Sequence, residues 1–141
     1  MEVLIAVAIL ALLVMIAVPA YSKYKDEQNN AQAKADIVDI QTRIDKFYVN
    51  FNRFPDTLED VGAHTMRDPW NNVYYFHNIA TGSGNSSKPR KDKKLKPVNS
   101  DYDLYSMGKD GSSVATFTSK KSEDDIVRCN NGQFIGFAVD Y

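Results

Sequence analysis

Three aspartates near the C-terminal end, Asp110, Asp124 and Asp125, have the type and spacing that best fit a metal. Calcium takes several oxygen ligands, carboxylate and carbonyl, at about 2.3–2.6 Å. Asp110 lies within Gly108-Lys109-Asp110-Gly111, where the glycines let the backbone turn so that carbonyls point inward. On residue chemistry alone, three solvated loop aspartates are the simpler account of the pattern. A second carboxylate is out of place. Glu2 opens a run that is apolar at every position from Val3 to Val18. A charge at bilayer depth costs about 2.5–3.5 kcal/mol on insertion scales and is usually paired or functional. The alternative places Glu2 at the headgroup level, where it costs little.

Other reactive residues do not assemble into a known chemistry. His64 and His77 stand alone, and no Ser/His/Asp spacing, HExxH, CxxC or phosphate loop is present, so no enzyme is expected. Cys129 is the single cysteine and excludes an intramolecular disulfide; it reads as a half-buried small hydrophobe, with an intermolecular bridge or reactive thiol as the alternatives. Lys88, Arg90, Lys91, Lys93, Lys94 and Lys96 form a basic run that reads as a solvated loop, or as a contact for an acidic neighbour or anionic surface. No aromatic residues interleave it for base stacking, and the net charge of −1 argues against nucleic acid as the main partner.

The elements that must position these residues follow from the hydropathy pattern. The 141 residues suit one small head plus an accessory element. Nineteen residues of helix span roughly 28 Å, close to the hydrocarbon core of a bilayer. A cleaved signal peptide fits poorly: no Lys or Arg precedes the run, and Tyr21 and Tyr24 follow it. A buried core helix fits poorly too, because so small a head cannot surround a helix apolar on every side. Lys23 and Lys25, taken alone, favour a cytoplasmic head; a basic leader upstream would reverse that orientation.

Beyond Tyr24 the sequence turns polar without a breaker until Pro55. Ile37, Ile40, Ile44, Phe47, Tyr48 and Phe51 recur mostly at spacings of three and four, which makes one buried stripe. We expect one helix over about residues 2–52, roughly 75 Å long. Pro19 falls inside it and should kink or loosen it around residues 15–19. In the head, Thr57–Val61 reads as a helical turn stopped by Gly62, and Asp68-Pro69-Trp70-Asn71-Asn72 as a turn. Strands are expected over 73–76, 103–107 and 134–138, a short extended piece over 114–118, and a long loop over 81–100. The fold class is α+β: a long helix with an apolar first half (1–24), packed in its second half on a small antiparallel sheet with a C-terminal loop region (25–141).

The start MEVLIAVAILALLVMIAVPAY resembles the N-terminus of mature type IV pilins and pseudopilins. Glu2 matches the family's glutamate and Pro19 its proline, and the resemblance implies a start about three residues into that mature form. The blocks FPDTLEDV, DPWNNVYYF, YDLYSMGKDG and EDDIV resemble, in order, those of the major pseudopilin of type II secretion. That resemblance implies a long helix, a small sheet and a C-terminal calcium loop, with Asp110, Asp124 and Asp125 and the backbone carbonyls of Met107 and Ser112 as ligands. Two departures stand out: the stretch Ser112–Glu123 is longer than in the family, and the chain continues through VRCNNGQFIGFAVDY. The implied function is a filament subunit: a type II secretion pseudopilin or a surface type IV pilin, stored in a bacterial inner membrane with a periplasmic head. It would assemble with itself, with minor pilins or pseudopilins and with the assembly machinery, and Glu2 would pair with a neighbour's N-terminal amine. A membrane-tethered ligand-binding module is the alternative from another class.

Overall fold

The computed structural model describes residues 1–93 and 97–141. A single helix, α1, runs from Glu2 to Phe51 without interruption. Its first half is bare. The large apolar side chains from Val3 to Val18 are all more than half exposed, Ile9 the least at 53%. The helix stays continuous through Pro19, so the loosening expected at residues 15–19 does not break it in the single chain. One missing hydrogen bond is tolerated where the bonds on either side remain.

The second half carries the buried stripe, shifted one turn toward the N-terminus of the expected one. Ala33, Ile37, Ile40 and Ile44 are fully buried, whereas Tyr48 and Phe51 are exposed at 40% and 61%. The head thus covers α1 only as far as its last two turns. Phe47 and Phe51 meet at a tilt of 39° instead, and Tyr48 stacks on Phe54 at 4.6 Å. Asn52 ends the helix in the left-handed conformation (φ 52°) and donates its N–H to the Tyr48 carbonyl. Asp39 and Arg43, four residues apart on α1, form an ion pair at 3.0 Å.

Four antiparallel strands form the head: β1 Tyr75–Asn78, β2 Tyr102–Ser106, β3 Ile126–Cys129 and β4 Phe134–Phe137, in that spatial order. Three of them correspond to expected strands, with ends moved by one or two residues. β3 was not expected; it joins β2 through Tyr105↔Val127 and β4 through Val127↔Gly136. The helical turn before Gly62 is a short 3-10 segment, Glu59–Val61.

The sheet is buried on both faces. Toward α1, Phe76, Tyr102, Leu104 and Ile126 pack with the helix isoleucines, Leu58, Ala63 and Tyr74. On the far face, Tyr105, Val127 and Cys129 pack beneath Val98, Phe117 and Ala138. Alternation along the strands therefore feeds two cores, not one. The far core exists because the expected loop over 81–100 and the expected extended piece over 114–118 fold back together over the sheet: Lys91 exchanges backbone hydrogen bonds with Ala115 and Phe117 at 2.9 and 3.1 Å.

Candidate functional site

The geometry at the start of α1 is simple. Glu2 lies exposed in the first turn, where the unpaired amides and dipole of its own helix favour a carboxylate. Sixteen apolar residues and Pro19 follow before the polarity changes. Among the described residues, α1 is the one helix long and apolar enough to cross a membrane, and none of its apolar window is buried.

At the other end of the chain, the turn after β2 is locked by a relay of short contacts. Asp68 caps its own turn by accepting from the Trp70 and Asn72 amides at 3.1 and 2.8 Å. Its second oxygen accepts from the Ser106 hydroxyl at 2.6 Å, and Ser106 Oγ accepts from the Gly108 amide at 3.1 Å. Gly108 (φ 66°) presses directly on the Asp124 backbone, leaving no room for a Cβ. Lys109 reaches back to Asp26 on α1, both carboxylate oxygens at 3.0 Å, so the turn also bridges to the helix.

The expected calcium ligands are only partly brought together. The Gly108–Gly111 turn does meet Asp124, whose carboxylate accepts the Asp110 amide at 2.8 Å, while Asp110 caps the Ser112 amide at 2.7 Å. Asp125 goes elsewhere. It is fully buried and forms an ion pair at 2.5 Å with Arg90, itself 2% exposed. Burial pushes the Asp125 carboxyl up to about 6, against the opposing pull of Arg90 and of Ser113. Among the described residues, no three His, Cys, Asp or Glu side chains are grouped to hold a metal. The donors do not fit the implied ligand set: two carboxylates cap turn amides and the third faces a guanidinium.

Arg90 corrects a second expectation. Within the basic run it is not solvated at all, unlike the exposed Lys88 and Lys93; Lys94 and Lys96 lie outside the described residues. Its burial could not be read from a run of like charges. The nearest signal was Pro89, which breaks the run beside it. Cys129 is more buried than expected, with no exposed surface, and burial pushes its thiol up to about 12, which leaves it protonated and inert. His77 is buried with Nδ1 2.8 Å from the Ser86 carbonyl, and His64 is exposed. Compared with protein-family models, with curated proteins and with solved structures, the chain matches none.

Proposed function

We propose that the chain is the repeating subunit of a helical filament of the type IV pilin kind, either the major pseudopilin of a type II secretion system or the closely related major pilin of a surface pilus. One observation carries this reading: a single 50-residue helix packs one stripe of its second half on the head and is wholly bare in its first. Burying an apolar side chain is worth about 1.5–3 kcal/mol, so the twelve large ones from Val3 to Val18 represent a driving force of tens of kcal/mol that the head leaves unused. Lipid satisfies it before assembly, and copies of the same helix satisfy it afterwards. In this reading the subunit waits in a bacterial inner membrane with its head in the periplasm and is handed by assembly machinery to a growing filament of itself and minor subunits.

Glu2 fits a carboxylate that guides the incoming subunit, because insertion gains nothing from it. Pro19 sits where the helix has already lost one hydrogen bond and can unwind locally once packed. The reading includes no catalytic role. Replacing Glu2 tests it: Glu2→Ala, coexpressed with a filament assembly system, should insert in the membrane and fold its head normally but yield few or no filaments by electron microscopy. Filaments in wild-type yield would remove Glu2 from assembly. A wild-type chain that stays monomeric under the same conditions would favour a membrane-tethered module over a filament subunit.

A further inference from the structure

We infer that Arg90 is a built-in cation for the C-terminal loop: its guanidinium stands beside Asp125, where the family resemblance calls for calcium, and pins the loop to the head without a metal. The inference does not depend on whether the chain assembles.

The contacts are those of a structural centre, not of a surface side chain. One terminal nitrogen of Arg90 pairs with Asp125 Oδ2 at 2.5 Å, and the other donates to Ser113 Oγ at 2.5 Å. Ser113 in turn donates to the same Asp125 oxygen at 2.5 Å, closing a three-membered ring of contacts. The guanidinium carbon lies over two rings, 4.2 Å from the centre of Tyr105 and 5.0 Å from that of Phe117. The backbone is fixed as well. The Arg90 amide donates to buried Asp103 at 2.6 Å, and its carbonyl accepts from Val98 at 3.2 Å.

Arg90 therefore joins segments that are far apart in sequence, which is the task of a metal clip. It spans 23 residues to Ser113 and 35 to Asp125. Two of its partners, Ser113 and Phe117, come from Ser112–Glu123, the stretch that is longer here than in the family. The lengthened loop and the buried arginine are thus parts of one device. A divalent ion has little to bind at the same place. Asp125 Oδ2 is already saturated, and only Oδ1 lacks a partner, whereas calcium takes six to eight oxygens. A second positive charge beside the guanidinium would also meet direct repulsion.

The test uses the full chain in detergent micelles, with thermal unfolding followed by near-ultraviolet circular dichroism in millimolar calcium chloride and in excess chelator. The wild-type midpoints should coincide. Arg90→Met and Asp125→Asn should each lower the midpoint by on the order of 10 °C, because each strands a buried charge or its partner. The double variant should lose clearly less than the two single losses added together. Should Arg90→Met fail to fold, the milder Ser113→Ala should still melt at one lowered temperature in both buffers. A wild-type midpoint that rises with calcium would overturn the inference, as would strictly additive losses in the double variant or calcium restoring Ser113→Ala to the wild-type midpoint.

Discussion

Gln41, on the helix, and Arg128, in the third strand, meet at 2.8 Å, the guanidinium Nε donating to the amide oxygen. The rest of the Arg128 fork is equally engaged. Its two terminal nitrogens hold Asp101 at 2.9 and 2.7 Å, one of them also donates to the Tyr102 carbonyl at 2.9 Å, and the group lies 3.9 Å above the Tyr102 ring. One buried side chain thus connects α1, β3 and the entry to β2.

Removing Arg128 should be costly. It is 3% exposed, and its loss leaves Asp101 and the Tyr102 carbonyl short of partners. Arg128→Met should destabilise the head by about 3 kcal/mol. Arg43→Ala, which breaks the half-exposed pair with Asp39, should cost no more than about 0.5 kcal/mol. Urea unfolding of the two variants in the same detergent checks this; equal losses would mean that Arg128 is not a structural tie.

Two glycines separate backbone strain from crowding. Gly82 and Gly108 have similar positive φ values, 71° and 66°, but open space surrounds the first and the Asp124 backbone abuts the second. Gly82→Ala should cost about 1 kcal/mol, the strain of a left-handed residue alone. Gly108→Ala should cost several times as much, because the turn after β2 must move off Asp124. Similar unfolding midpoints for both variants would contradict that packing.

Asp103 should give the head a pH dependence of defined sign. It is fully buried on β2, directly across from His77 on β1, with the Arg90 amide at 2.6 Å and Asn99 at 2.7 Å. Burial raises its carboxyl above the usual 3.8, while those two hydrogen bonds and the charges of Arg90 and His77 pull it down. The folded form therefore keeps a proton that the unfolded chain releases. The stabilisation is complete below the unfolded value and is lost as pH rises through the folded one. The stability gap between wild type and Asp103→Asn should move against the wild type as pH is raised through the range above the usual carboxylate value. A gap that stays constant across that range would show that Asp103 does not titrate with folding.

Much of the fold was legible because it rests on periodicity. The apolar run, the spacing of Ile37, Ile40 and Ile44, and the turn at Asp68–Asn72 each state their structure locally. β3 was hidden for a physical reason: Ile-Val-Arg-Cys places a charge in its third position, and that charge is neutralised only by Asp101, 27 residues away. The second core was hidden in the same way, since Val98 and Phe117 sit in polar loops that gain meaning only when folded over the sheet. The aspartates announced a site, but not which partner each would take. Adjacent in sequence, Asp124 and Asp125 part company, one toward a turn amide and the other toward a guanidinium.

The long helix is fastened to the head at points spread along its length, from Asp26 against Lys109, through Asp36 accepting from Tyr74 at 2.7 Å, to Gln41 and the buried Ile44. That is roughly 27 Å of rod. A pull on the apolar end runs parallel to this seam, so it loads every fastening at once in shear. Nothing peels first. The same head pulled sideways at the far end of the helix would meet its attachments one after another. The molecule is therefore built to carry tension along its axis and to yield to force across it.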